Sequence, residues 1–298
     1  MKNLIAPPKW EKGRFAPWLL KRILSILVLF SVILLAGGLI FKDRLIFHPV
    51  GTELSFGPEQ YSLKYEEKWL TTADGLKVKA WRLPPKGPDT GLTLIFLQGN
   101  SGNMSLMLDR LSVFSAMGLT CLSVDYPGYG ESKGRPSEEK LYQTAEALYS
   151  WAEEKGAKPG RTIIYGFSLG GGVASYLAEK KPSAALVLDS TFTRLRDVPG
   201  HDLPFLRPYL KLILGDAFNT NGRLADINCP LLVLHSPQDD VVPYALGLKN
   251  YETYTHQKIM AIGRGDHMSF MLNRKLYVEK MEELIKKIEE TKKSQSGD

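Results

Sequence analysis

Hydrophobic positions along the chain first form one unbroken block and then break into short runs that alternate between two periods. Residues 23–41, ILSILVLFSVILLAGGLIF, carry no charge and only Ser25 and Ser31 as polar side chains. As a helix rising 1.5 Å per residue, about 19 residues span roughly 28 Å, close to the hydrocarbon core of a bilayer. The block is apolar on every face, which a core helix of a soluble domain rarely is. Small residues at Ala36-Gly37-Gly38 would suit signal-peptide cleavage, but Leu39-Ile40-Phe41 continue the apolar run. The segment is therefore expected to remain as an uncleaved transmembrane anchor.

Past residue 42 the pattern alternates between extended and helical periods. Residues 68–72 and 76–83 predict strands joined by a turn at Ala73-Asp74-Gly75. Further short apolar strands are expected at 92–97, 119–124, 162–165, 184–188, 231–235 and 258–262. Between them, Met104, Met107, Leu108, Leu111 and Phe114 recur at helical spacing and stop at Gly118. Ser137 caps a second helix with Glu138 and Glu139 in its first turn, a placement that suits the helix dipole. Helices are also expected over 169–180, 244–254 and 269–293. Strand–helix alternation of this kind gives a mostly parallel sheet of about eight strands with helices on both faces. Ligands in such sheets sit beyond the carboxyl ends of the strands. The domain is expected over 42–293, with an insertion at about 190–229 and a frayed tail at 294–298. No internal repeat is present.

Charge changes the picture only at the N-terminus. The chain carries a net charge of +6, but residues 1–22 hold six Lys or Arg against Glu11 alone. The remainder is close to neutral, so no domain-wide basic surface for nucleic acid is left. A basic segment beside an apolar block orients the chain with 1–22 in the cytoplasm and the domain on the extracytoplasmic, periplasmic or luminal side. The chain's two cysteines, Cys121 and Cys229, are too few for a disulfide framework and match no metal spacing. Both are expected to be unpaired.

The strongest chemical signal is Gly166-Phe167-Ser168-Leu169-Gly170, a G-x-S-x-G pentapeptide between a predicted strand and a predicted helix. In that context it forms a nucleophile elbow, a strained turn that lifts the serine hydroxyl above the sheet edge. Glycines at 166 and 170 leave room for the neighbouring strand and helix, and the Leu169 amide faces the developing oxyanion. The phosphate-binding patterns G-x-x-x-x-G-K-[ST] and G-x-G-x-x-G are absent. A serine hydroxyl needs a base, and the base needs an orienting acid, in the chain order Ser, acid, His. His48 precedes the expected strands, His201 precedes the best acids, His235 lies inside a strand as a core residue, and His256 is at the wrong end of one. His267, just past the carboxyl end of the last strand, is the candidate base. Asp239 and Asp240 share the loop after 231–235; Asp189 and Asp266 are weaker acids by position.

Four blocks resemble the α/β-hydrolase superfamily, in particular its membrane-anchored serine hydrolases near the lysophospholipase, monoacylglycerol lipase and protein-depalmitoylase branches. They are residues 97–103 (LQGNSGN), residues 125–132 (DYPGYGES), the elbow, and Asp239 to Pro243 together with His267. The resemblance implies the α/β-hydrolase fold with a short cap over about residues 44–290. In the family's D-x-x-V-P pattern the first aspartate is catalytic, which selects Asp239. The family's H-G-N-x-G block matches residues 98–102 except at Gln98, and its backbone oxyanion donor maps to Asn100, with Ser101 the alternative. Another departure is His235-Ser236, where the family has H-G. The 125–130 block resembles a structural turn of the family, to which no chemistry is assigned. The implied activity is hydrolysis of an ester or thioester through a Ser168–His267–Asp239 triad and an acyl-enzyme, with no metal or organic cofactor. The expected partners are a small acyl substrate and the bilayer, and the chain is expected to act as a monomer. The alternatives are a short-chain esterase, a peptidase, or a catalytically silent membrane scaffold.

Overall fold

The computed structural model describes residues 15–52 and 56–296; most of the basic N-terminal stretch and the last two residues of the expected tail lie outside them. The chain divides into two units, Met1–Lys42 and Asp43–Asp298. The first carries most of helix α1 (Phe15–Ile46), whose apolar window has a mean hydropathy of 2.9 and contains no buried residue. By length and composition this helix can cross a membrane. It overruns the 23–41 block at both ends, because the flanking residues hold helical backbone without sharing the apolar character that marks the span.

In the second unit the strands, in chain order, are β1 (His48–Pro49), β2 (Glu66–Thr71), β3 (Lys77–Leu83), β4 (Thr93–Leu97), β5 (Ser101–Gly102), β6 (Thr120–Val124), β7 (Thr162–Phe167), β8 (Ala185–Asp189), β9 (Leu231–His235) and β10 (Lys258–Ile262). The helices are α2 (Leu108–Ala116), α3 (Glu138–Glu154), α4 (Leu169–Lys180), α5 (Asp197–Asp202), α6 (Arg207–Leu214), α7 (Thr220–Arg223), α8 (Tyr244–Thr253) and α9 (Arg274–Ser296). Eight strands form one sheet in the order β10-β9-β8-β7-β4-β6-β3-β2. Pairing is parallel except β2 with β3 and β3 with β6. The β2–β3 hairpin closes where Thr72 N donates to Leu76 O at 3.0 Å, with Gly75 at φ 82°.

β4, β7, β8 and β9 are buried at every position. Their unbroken apolar runs follow from cover on both faces. Ile95, Leu97, Ile164, Leu186 and Leu188 point into the layer that holds α3 and α4. Leu94, Phe96, Ile163, Tyr165 and Val187 point into the layer built with α2 and α9. Ser137 caps α3 as expected, accepting from the Lys140 amide.

The order of strands also positions the site. From β4 the chain crosses to β6 on one side and returns to β7 on the other. β4 and β7 therefore flank the switch point where a parallel sheet opens a crevice at its carboxyl edge. The loops that leave this edge carry Asn100 and Ser168.

Three expectations need correction. The last helix begins at Arg274 rather than 269. The Asn273 side chain folds back on Arg264, donating to its carbonyl at 2.6 Å and accepting from its amide at 2.9 Å, so residues 264–273 close a loop before the helix starts. That helix then continues through Ser294–Ser296, into the segment expected to fray. His48 does not precede all the strands: it lies in β1, which pairs in parallel with β5 beside Asn100.

Candidate active site

Ser168 sits between β7 and α4 with φ 53° and ψ −122°, a backbone region that side-chain-bearing residues seldom occupy. Main-chain contacts hold it there. Its amide donates to Asp189 O at 2.8 Å, and its carbonyl accepts from Gly171 N at 2.9 Å and Thr191 Oγ1 at 2.7 Å. The glycines around it are matters of space. A Cβ on Gly166 would stand 2.3 Å from Gly170 O, and one on Gly170 would stand 2.1 Å from Leu97 O. Across the switch point, a Cβ on Gly99 would lie 3.3 Å from the Ser168 Cβ, so the β4 loop runs directly beside the elbow.

Asn100 on that loop is tied from three sides. Its carbonyl accepts from His48 N at 2.8 Å and from the Tyr129 hydroxyl at 2.6 Å, and its side chain donates to Ile46 O at 2.8 Å. Leu169 is the first residue of α4, where main-chain amides point out of the helix.

Asp239 and His267 are brought together. Imidazole Nδ1 lies 2.8 Å from Asp239 Oδ2 and 3.0 Å from Oδ1. The Asp239 Oδ1 also accepts from the amides of Val241 and Val242 at 3.0 and 2.8 Å. Burial opposes ionisation of this carboxyl, but hydrogen bonds from His235 and His267, the His267 charge and the Val242 amide outweigh it. They hold the acid well below the usual carboxylate range. Asp240 turns to the backbone instead, where its Oδ1 accepts from the His267 amide at 3.2 Å. Ser236 Oγ donates to Gly265 O at 2.7 Å, so the acid loop and the histidine loop are stitched together.

Ser168 and His267 share the rim, with the Phe167 ring 5.0 Å from the imidazole. Among the described residues no hydrogen bond joins the Ser168 hydroxyl to His267. Asp189, weighed as an acid, does not bond His267 among the described residues either. Its carboxylate accepts from the Tyr165 and Tyr277 hydroxyls at 2.6 Å each. Buried Arg110 approaches it to 4.0 Å and lies over the rings of Phe167 and Phe270, at 4.4 and 4.9 Å. Burial raises the Asp189 pKa, while Arg110 and the two tyrosines pull it down. This polar knot lies under both loops of the rim.

Asp125 supports the β4 loop from below. Its Oδ1 accepts from Met104 N at 2.6 Å and from Gln98 Nε2 at 3.3 Å. Burial pushes its carboxyl up to about 6, against the pull of those two donors and of Lys79. The folded protein thus keeps this proton to higher pH than the unfolded chain, where the carboxyl titrates near 3.8. The resulting stabilisation is full below about pH 4 and is lost as pH rises through about 6, a change of about 3 kcal/mol. Relative to Asp125→Asn, wild type is expected to lose that much unfolding free energy between pH 4 and 7 in denaturant titrations. A pH-independent difference would show that the group does not titrate this way.

Exposed apolar side chains crowd the same loops: Val241 beside the acid, and Met268, Met271 and Leu272 just past His267. In the insertion between β8 and β9, Phe205 is 70% and Leu212 65% exposed. A cavity of about 810 Å³ at the opposite, amino-terminal edge of the sheet, lined by Lys158, Lys181 and Cys229, takes no part in this arrangement. Cys121 and Cys229 are both unpaired.

Comparison with known proteins bears on the family and the fold. Residues 93–221 match the family described as alpha/beta hydrolase fold. The alpha/beta hydrolase domain-containing protein WAV2 of Arabidopsis thaliana is 30% identical over 222 residues, covering 68% of this chain and 72% of that one. The lysophosphatidylserine lipase ABHD12 of Danio rerio is 28% identical over 286 residues, covering 84% and 74%. Among solved structures, a Pyrococcus furiosus esterase superposes with a TM-score of 0.66 at 20% identity, over 81% of this chain and 97% of that one. That last likeness speaks to the fold alone.

Proposed function

Since the chain belongs to the α/β-hydrolase family, we propose that it is a membrane-anchored serine hydrolase that cleaves ester or thioester bonds of lipid-like acyl substrates. One observation carries the reading: a strained, glycine-flanked serine and a buried Asp239–His267 pair occupy the same rim of the sheet. In this mechanism His267 Nε2 takes the Ser168 proton as Oγ attacks the acyl carbon. Asp239 keeps the other ring nitrogen protonated and offsets the charge of the imidazolium. The amides of Leu169 and Asn100 receive the oxyanion, each donor being worth about 3–4 kcal/mol in the transition state. The intermediate collapses as His267 hands its proton to the leaving group, and water then releases the acyl group through the same base. The serine–histidine hydrogen bond forms as substrate seats, since such bonds are commonly long in unliganded sites.

The lipid preference is supported by the apolar rim, the apolar N-terminal helix and the name of the Danio rerio relative. An orientation with the catalytic domain on the extracytoplasmic side is supported by the basic N-terminus. The test is a substrate panel. Fatty acid release from lysophospholipid or monoacylglycerol vesicles is expected to exceed turnover of soluble acetyl esters and of aminoacyl amides. Faster turnover of the acetyl esters would make it a soluble-substrate esterase, and faster amide turnover a peptidase.

A further inference from the structure

Asp239 meets two imidazoles rather than one. His235, at the end of β9, places Nε2 2.9 Å from Val242 O and 3.3 Å from Asp239 Oδ2. Both neighbours are acceptors, so Nε2 must carry the proton. The other nitrogen, Nδ1, is buried and has no hydrogen-bond partner among the described residues. It abuts Gly247: a Cβ there would stand 2.1 Å from it. The edge of the ring meets Tyr244, with centroids 5.7 Å apart.

Placing this ring is unfavourable in two respects. A glycine inside α8 destabilises the helix by about 0.5–1 kcal/mol relative to alanine. A buried acceptor without a donor also loses its hydration. A leucine at 235 would leave no buried acceptor without a donor. What the histidine uniquely provides is one N–H, aimed between the catalytic acid and the carbonyl that ends its loop.

We propose that His235 is a positioning residue, whose Nε2–H clamps the Asp239 carboxylate and the Val242 carbonyl so that the acid stays registered on His267. The inference rests on the hydrolase reading, with Asp239 as the acid. The clamp closes the turn that β9 feeds. The two loop amides hold Oδ1, and His235 steadies Oδ2, the oxygen that His267 uses. Without it the carboxylate rotates about its last torsion, and the base loses its alignment with Ser168.

The test uses the full chain in detergent and a p-nitrophenyl ester. His235→Leu is expected to lower kcat by about 10- to 100-fold, the scale of a misaligned catalytic group, with KM unchanged. His235→Gln returns an N–H to about the same point and is expected to recover most of that loss. A leucine variant with wild-type kcat overturns the proposal. So does a glutamine variant as impaired as the leucine one, because packing alone would then explain the effect. Nitrogen-15 spectra of histidine-labelled wild type decide the matter if the leucine variant fails to fold: a protonated Nε2 at His235 supports the clamp, and a bare Nε2 overturns it. A wild type that hydrolyses no ester removes the hydrolase reading and the positioning role with it. A slow variant beside an active wild type keeps both.

Discussion

Ser168→Ala is expected to lower kcat by about 10⁴- to 10⁶-fold, the range seen when a serine nucleophile is deleted from a complete triad. It is also expected to abolish labelling by a fluorophosphonate while leaving the thermal midpoint near that of wild type. The strain at φ 53° belongs to the backbone and stays with any side chain. The bonds that hold it, from Ser168 N to Asp189 O and from Gly171 N and Thr191 Oγ1 to Ser168 O, are made by main-chain atoms that alanine retains. The substitution therefore removes the hydroxyl and little else. Ser168→Gly separates chemistry from strain. It should be as inactive, yet more stable by about 1 kcal/mol, because glycine tolerates positive φ. Equal labelling of wild type and Ser168→Ala would place the nucleophile elsewhere.

The parts of this molecule legible in the sequence are those written in local period and turn chemistry. Buried strands such as β4 and β8 read as unbroken apolar runs because helices cover both faces. The elbow reads clearly because its glycines answer contacts made within a few residues, as with Gly166 against Gly170 O. β1 escaped detection because two residues hold no period. The helix expected from 269 starts late because Asn273 bonds back to Arg264, a contact that no periodicity encodes. Arg110 carries a signal of its own in the sequence. It follows Met107 by three residues and precedes Phe114 by four, on the apolar face of its helix, where a lone cation implies a buried partner. That partner is Asp189. At the site, the G-x-S-x-G pentapeptide singles out Ser168, the place past the last strand singles out His267, and the family resemblance selects Asp239 over Asp240. The structure distinguishes them by direction: one faces the imidazole and the other the backbone of the same residue. His235 reads from the sequence as a satisfied core residue, and its contact with Asp239 comes from a seven-residue loop closing on itself, which sequence pattern does not describe.

Asp239→Asn should lower kcat by about 10⁴-fold with the fold intact, and the geometry says why an almost isosteric change is so damaging. The Asp239 Oδ1 accepts from two loop amides, at 3.0 and 2.8 Å. In the variant that position must hold the asparagine oxygen, because an amide group there would face two N–H donors. The NH₂ then replaces Oδ2 and points at His267 Nδ1, 2.8 Å away, and at His235 Nε2, 3.3 Å away. His267 Nδ1 becomes an acceptor, and its proton moves to Nε2. The ring nitrogen that should take the Ser168 proton already holds one, so the base is lost to the wrong tautomer. His235 falls back on Val242 O at 2.9 Å, which keeps the loop folded. Because the nucleophile itself is untouched, fluorophosphonate should still label this variant, but slowly, whereas Ser168→Ala takes no label at all. Retention of more than about a tenth of wild-type kcat, under conditions where Ser168→Ala is dead, would mean that another group orients His267, since the tautomer switch leaves no route to such activity.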